Sequence, residues 1–504
     1  MFRSRLLPLL LLFVSAGALL WRILPEPSSE MLAGIVQDES GPLAGAIVRI
    51  KGGTTAVRTD PAGRFQLIGK ATDRITAWKE GYLIAGGPAD IAPFVLTLQR
   101  LPAEDHEDYA WVSPTPDLAG RHNCGNCHGA IYEEWNASGH ARATANRRFR
   151  NLFDGTDWHS RPNVGWSLRA EHPEGVGVCS ACHAPGMRIA DPAYYDLPRA
   201  RGIDALGVHC DYCHKVAALE PQARLGTTHG RFGLQLLRPE EGQLFFGPLP
   251  DVDRNEDTFS RLYHSSRYCA SCHEGTVFGV HVYSTYSEWL QSPARRAGKQ
   301  CQDCHMTPTG KMDNIAPGRG GIRRDPQTLA NHLMFAGSQE EMLRRCLRLT
   351  VRLDRAPGGL DVEVTVRADD VGHRVPTGFI DRHLVLLVEG FATGQPVPLI
   401  DGPTLPPPAG RSLVGRPGVL FAKLLSDTEG RSPAPFWRAG AAPVDSRLQP
   451  GEPRRIALRF APPAERVRIR LLYRRFWPEV SEAKSWPDDT VAVIEEEWAT
   501  PARE

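Results

Sequence analysis

Five stretches of the chain share one spacing: Cys124-Gly-Asn-Cys127-His128, Cys179-Ser-Ala-Cys182-His183, Cys210-Asp-Tyr-Cys213-His214, Cys269-Ala-Ser-Cys272-His273 and Cys301-Gln-Asp-Cys304-His305. Two thiols three residues apart, followed at once by an imidazole, have the form of a covalent haem attachment site. Thiols one helical turn apart can add to the two vinyl groups on one edge of a haem. The next residue then brings its imidazole to one axial face of the iron. With 11 Cys and 17 His in 504 residues, chance supplies about 0.008 such motifs, so five copies are not an accident of composition. Zinc sites also use C-x-x-C pairs, but they do not ask for His after every second Cys. A thioredoxin-like redox motif would occur once, and a disulfide framework would leave the five histidines unexplained. The motifs predict five covalently bound haem c groups. Ten of the eleven cysteines are thereby used, and Cys346 reads as a small buried apolar residue.

Five proximal histidines leave five iron faces to be filled. The remaining histidines are His106, His122, His140, His159, His172, His209, His229, His264, His281, His332, His373 and His383. Methionine is scarce, at seven, so the sixth ligands are expected to be histidines. Such ligation lacks the methionine that raises haem potential, and low potentials follow. One internal echo helps to choose among them. Glu134-Trp135-Asn-Ala-Ser138-Gly-His140 recurs as Glu288-Trp289-Leu-Gln-Ser292-Pro-Ala294. The same scaffold carries His in one copy only, which points to His140 as a ligand. His264, in Tyr-His-Ser-Ser before the fourth motif, and His229, in a Thr-Thr-His-Gly loop, are chosen for two further haems. Their rivals His122 and His209 sit beside motifs and would need to reach a neighbouring haem. His281 and His383 lie in strand-like runs and read as satisfied structural histidines.

The elements that must position these residues fall into four parts. Arg3 and Arg5 precede an apolar run from Leu6 to Trp21 that continues past Arg22 into Ile23 and Leu24. Residues 1–30 are thus an export signal, with Ala16-Gly17-Ala18 as a cleavage site, or an uncleaved membrane anchor over residues 6–24, near the lower length limit for a spanning helix. Either way the rest of the chain is exported, to the periplasm, with the positive end left in the cytoplasm. Residues 31–101 read as short strands between turn signals such as Gly41-Pro42 and Asp60-Pro61-Ala62-Gly63. Residues 102–346 hold the five motifs, whose starts lie 55, 31, 59 and 32 residues apart. No long periodic helix or strand appears there, so short helices around the haems must form a loop-rich, mainly α domain. Residues 347–504 alternate again: Val362, Val364 and Val366 with polar positions, and Val467, Ile469 and Leu471 with Arg466, Arg468 and Arg470. They predict a second β-sandwich. A formal net charge of +1 with 23% charged residues, and no patterned basic patch, argue against a nucleic-acid partner.

Two resemblances follow from these residues. Gly34-x-Val36, Gly41-Pro42-Leu43-Ala44-Gly45-Ala46-x-Val48, Thr59-Asp60-x-x-Gly63-x-Phe65 and Ile75-x-Ala77-x-Lys79-x-Gly81-Tyr82 resemble the carboxypeptidase regulatory-like domain. That likeness implies a small β-sandwich serving as spacer or docking module. The order Cys124-x-x-Cys127-His128, Glu134-Trp135-x-x-Ser138-x-His140, Cys301-Gln302-Asp303-Cys304-His305-Met306, His332-Leu-Met-Phe335-Ala-Gly337 and Gly372-His373-x-x-Pro376-Thr377-Gly378 resembles a multihaem cytochrome c family. The family includes the tetrahaem carrier that takes electrons from hydroxylamine oxidoreductase. The resemblance implies that His140, His332 and His373 are distal ligands and that the C-terminal sandwich reaches back to a haem. This chain departs from that carrier in having five motifs and two added β domains. The expected function is electron transfer between redox partner proteins. The alternative is a reductase or oxidase of a small nitrogen or sulfur compound at a five-coordinate haem. All five motifs end in His, whereas the pentahaem nitrite reductase family uses a C-x-x-C-K active-site motif, and this favours the carrier.

Overall fold

The computed structural model describes residues 29–90, 94–117, 119, 122–173, 178–188, 197–335 and 340–500. The apolar stretch from Leu6 to Leu24 lies outside the described residues. Among the described residues no helix is long and apolar enough to cross a membrane. The chain divides into two compact units, one made of Met1–Glu104 with Glu241–Ser260, the other of Asp105–Glu240 with Arg261–Glu504.

The first unit is built from two four-stranded sheets. One contains Gly41–Pro42, Glu30–Asp38 and Arg64–Gly69, with Phe94–Thr97 added in parallel along Glu30–Asp38. The other runs Ala56–Arg58, Ile47–Ile50, Arg74–Trp78, Ala85–Pro88. Period-two alternation gives each strand one apolar face: Phe65 and Leu67 are buried, while Arg64, Gln66 and Ile68 between and beside them are exposed. Val36, Val48, Phe65, Leu67, Ile75 and Leu98 fill the space within the unit.

The boundary expected at residue 101 omits a piece of this unit. Glu241–Ser260 leaves the motif-bearing segment and joins it. Asp253 pairs with Lys51 at 2.7 Å and with Arg74, and Asp251 accepts the Gly52 amide at 2.6 Å. Trp78 donates its indole N–H to Thr258 at 3.1 Å. These contacts are made by two carboxylates, a hydroxyl and turns, so no apolar periodicity marks the segment as part of a β unit.

In the second unit the motif-bearing segment holds short helices, the longest among the described residues being Gly129–Ala137, and two antiparallel strand pairs, Val216–Leu219 with Leu234–Leu236 and Glu274–Val277 with Val280–Ser284. Its own apolar clusters are small: Tyr212, Val216, Leu234 and Leu236 in one, Ala270, Tyr286 and Trp289 in another. The C-terminal part is different. A four-stranded sheet runs Leu347–Ala356, Gly359–Ala368, Arg454–Phe460, Leu399–Asp401. A six-stranded sheet is centred on His383–Ala392, paired antiparallel with Gly418–Leu424 and with Arg466–Arg474. The alternating residues Val362, Val364, Val366, Val467, Ile469 and Leu471 share one core with Leu384, Leu386 and Val388. Cys346 packs against that core, and burial pushes its thiol up to about 11.

The opposite face of His383–Ala392 is buried as well. Val385 and Leu387 join Leu152, Phe153, Trp166 and Ala184 of the motif-bearing segment and Trp437 and Trp477 of the C-terminal part. A strand covered on both faces reads as an unbroken apolar run, and His383-Leu-Val-Leu-Leu-Val has that form. The sandwich therefore rests on the helical segment through a second apolar layer.

Candidate functional site

Each motif cysteine pair lies on a single helical turn. The helices are Cys124–Cys127, Val178–His183, Cys210–Cys213, Ser266–His273 and Cys301–His305. Residues three apart on a helix are neighbours on one face, so both thiols of a motif point the same way. Local capping starts these turns where the motif needs them. Ser265 accepts the Arg267 amide, the His209 ring accepts the Tyr212 amide, and Gln300 with Asp303 forms a reciprocal capping box. None of the eleven cysteines is in a disulfide.

Three of the five motif imidazoles are held from behind. His128 Nδ1 donates to the Ile315 carbonyl at 2.7 Å and His183 Nδ1 to the Ala143 carbonyl at 2.9 Å. His305 Nδ1 bonds the Phe335 carbonyl. A proton fixed on Nδ1 leaves the lone pair on Nε2, the tautomer and anchoring that metal-bound histidines show.

Two other histidines face proximal ones. The His140 and His273 rings have centroids 6.2 Å apart, with planes at 75°. His305 and His373 lie 6.1 Å apart at 21°. Two imidazoles bound to one metal through nitrogens about 2 Å away would have ring centres about 6 Å apart, so both pairs have the spacing of two axial ligands. His373 keeps its Nδ1 on the Arg374 carbonyl at 3.0 Å. His332 lies beside two proximal imidazoles, and His214 acts on it more strongly than His128. Burial holds these rings in the neutral form that a metal needs: His140 and His332 are pushed down to about 4, and His273 to about 3. His183 and His373 are lowered for the same reason.

The remaining candidates are placed differently. His229 directs Nε2 at the Thr276 carbonyl, 3.1 Å away, so a neutral ring has its lone pair on Nδ1. Its neighbour Gly230 packs against Ala181 and Cys182, where no Cβ fits. His264 ends the Arg261–His264 turn and is exposed. His209 accepts the Tyr212 amide on Nδ1, which places the ring proton on Nε2 and makes that buried nitrogen a donor rather than a ligand. His281 is satisfied by Glu274, as expected of a structural histidine. His383 is not: Nδ1 reaches the Asp381 carbonyl at 2.9 Å, but Nε2 is buried without a partner, and the ring stacks on Trp477 at 4.3 Å. Its strand is buried on both faces, which the alternation reading did not allow for.

The five motifs adjoin one another. The thiols of Cys124 and Cys210 are hydrogen-bonded neighbours, as are those of Cys269 and Cys301 and those of Cys182 and Cys272. Cys213 is close enough to Cys269 and Cys272 to act on them electrostatically. One short stretch also serves several sites. The His332 amide donates to Glu134 at 2.8 Å, the Met334 sulfur lies against His140, and the Phe335 carbonyl holds His305. The donor set fits covalent haem: paired free thiols on one turn, back-anchored proximal imidazoles, and neutral imidazoles facing two of them.

A model of the family described as cytochrome c554 and c-prime matches residues 123–215, the span of the first three motifs. The fold is similar to that of a penta-haem cytochrome c552 from Thermochromatium tepidum, with a TM-score of 0.51 and 23% identity, over 75% of this chain and 97% of that one. No curated protein matches the chain.

Proposed function

We propose that this chain is a multihaem cytochrome c, an exported electron carrier with five covalently bound haems; the family match over residues 123–215 and the likeness of fold support the reading. The observation that carries the reading is the adjacency of the motifs. Cys124 with Cys210, Cys269 with Cys301, and Cys182 with Cys272 link all five attachment sites through the contact of Cys213 with Cys269 and Cys272. Such a cluster suits passage of electrons from one partner protein to another. The haem itself supplies a one-electron iron couple, and two imidazole ligands set its potential low.

The chain's own residues then have distinct tasks. Cys124, Cys127, Cys179, Cys182, Cys210, Cys213, Cys269, Cys272, Cys301 and Cys304 attach the haems. His128, His183, His214, His273 and His305 are proximal ligands. His140 serves opposite His273, His373 opposite His305, and His332 opposite His214. His229, through Nδ1, and His264 are the proposed sixth ligands of the two remaining haems. The first unit, with its resemblance to a carboxypeptidase regulatory-like domain, serves as a spacer or docking module, and residues 6–24 export the chain or tether it to the inner membrane.

Protein matured with a cytochrome c assembly system tests this. Mass spectrometry of the denatured protein should show five covalent haems, and the oxidised protein should be low-spin throughout, without an iron–methionine charge-transfer band. Fewer than five haems removes a motif from the count. A stoichiometric high-spin signal would favour the small-molecule reductase or oxidase instead.

A further inference from the structure

The echoed sequence Glu-Trp-x-x-Ser makes the same contacts in both of its copies. Copy one lies on the Gly129–Ala137 helix and copy two on the Thr285–Gln291 helix. In copy one, Glu134 accepts the backbone N–H of His332 at 2.8 Å. In copy two, Glu288 accepts the backbone N–H of Arg374, the residue after His373, at 3.2 Å. Trp135 donates its indole N–H to the Val208 carbonyl at 2.8 Å, and Trp289 donates to the Lys299 carbonyl at 3.0 Å. Val208 lies two residues before Cys210, and Lys299 lies two residues before Cys301. Ser138 and Ser292 each close the helix with an amide bond to the carbonyl of the Trp, and both are 3% exposed.

The agreement extends to the thiols. Cys124, ahead of copy one, abuts Cys210. Cys269, ahead of copy two, abuts Cys301. The copies differ at the seventh position of the echo, His140 against Ala294, for a physical reason. Gly372, beside His373, packs within 3.4 Å of Ala294 and 3.2 Å of Trp289, measured from where its Cβ would be. A histidine at 294 would fill the space that the Gly372–Gly378 loop occupies. In copy one the position is taken by His140, which has the Met334 sulfur against its ring and faces His273.

Glu288 is the more elaborate anchor. It also accepts Thr377 Oγ1 at 2.8 Å and Ser284 Oγ at 2.6 Å, and it pairs with Arg447 at 2.7 Å, with both side chains at least nine-tenths buried. A buried carboxylate so satisfied is rigid, and it binds the helix to the loop that carries His373.

We propose that Glu134 and Glu288 are positioning residues, each fixing the distal histidine of one haem while the adjacent Trp fixes that haem's attachment turn. The inference rests on bis-histidine ligation by His332 and His373. One clamp, Glu134 with Trp135, serves the haem of Cys210, Cys213 and His214 and its ligand His332. The other, Glu288 with Trp289, serves the haem of Cys301, Cys304 and His305 and its ligand His373. A duplicated helix thus places two of the five haems by the same device, although the distal ligands come from different parts of the chain. The negative charge held near each ligand also favours the ferric state of that haem.

The test compares six single variants and four doubles of the five-haem protein. His332→Ala and His373→Ala should each open one haem, read as a high-spin ferric signal and carbon monoxide binding on reduction. Glu134→Ala should raise the carbon monoxide binding rate about tenfold or more, at one haem only. Its effect should vanish on the His332→Ala background and persist on the His373→Ala background. Glu288→Ala should show the reverse dependence. Glu134→Gln and Glu288→Gln keep an acceptor oxygen, so they should stay low-spin and shift one haem potential upward. If an alanine variant fails to mature, the glutamine variants decide. If His332→Ala and His373→Ala open no haem, the ligand assignment fails. If they do open haems while the Glu→Ala variants bind carbon monoxide no faster than wild type and the Glu→Gln variants leave all potentials unmoved, the clamp fails and the ligands stand.

Discussion

The motif-bearing segment and the C-terminal sandwich are joined in one unit but are stabilised in opposite ways. The sandwich has a continuous apolar core of its own side chains, from Leu347 through Leu386 to Tyr473. The motif-bearing segment surrounds its ligands with hydrogen bonds: Nδ1 anchors to carbonyls, carboxylates on backbone amides, and only small apolar clusters such as Tyr212 with Val216. The difference is the one expected if bound haem completes the core of the motif-bearing segment. Short helices with little apolar surface cannot offset the entropy of ordering on their own.

The largest expected effect breaks the comparison at that point. Protein produced without haem attachment should lose amide protection across residues 105–335, while the strands Gly359–Ala368, His383–Ala392 and Arg466–Arg474 stay slow to exchange. Equal loss in both regions would show that the sandwich depends on the haems too. Next in size is His373→Ala, which removes the ligand we propose the sandwich contributes. Metal ligation couples to folding, so one haem should become high-spin and proteolysis near residue 347 should speed up, with five covalent haems retained.

Leu386→Ala acts on the other side of the comparison. Leu386 is fully buried, and its loss should cost about 3 kcal/mol in denaturant unfolding of the sandwich, with the haem spectrum unchanged. A smaller effect depends on pH. Burial pushes the Asp381 carboxyl up to about 8 from its ordinary 3.8, against the opposing hydrogen bond from Trp477. The native state therefore keeps a proton that the unfolded chain releases, and this site makes stability fall as pH rises from about 4 to about 8. Asp381→Asn should remove that slope in pH-dependent melting curves. The smallest effect is Arg459→Ala. Its ion pair with Asp361 is exposed, and its loss should leave the melting curve nearly unmoved, with no spectral change.

The parts legible in the sequence are those whose signals are local. The thiol pairs and proximal histidines occupy single turns, and Val362, Val364 and Val366 announce their strand by alternation. Distal relations are not local. The Glu-Trp-x-x-Ser echo is visible as a repeat, but Glu134 meets its partner His332 198 residues away, and no spacing rule reaches that far. His229 looks like an unclaimed loop histidine, yet its Nε2 is held by Thr276, 47 residues on. Glu241–Ser260 joins the first unit through Asp251, Asp253 and Thr258, polar contacts that leave no periodic trace.

The central claim is that five attachment sites form one low-potential electron store with no site reserved for a substrate. Coulometric reductive titration of the matured protein, followed by its haem absorbance, measures this directly. The account predicts uptake of five electrons per chain at low potential, with a low-spin spectrum from the first electron to the last. Uptake of fewer than five, or a haem that turns high-spin and binds an added small ligand as it is reduced, would contradict it.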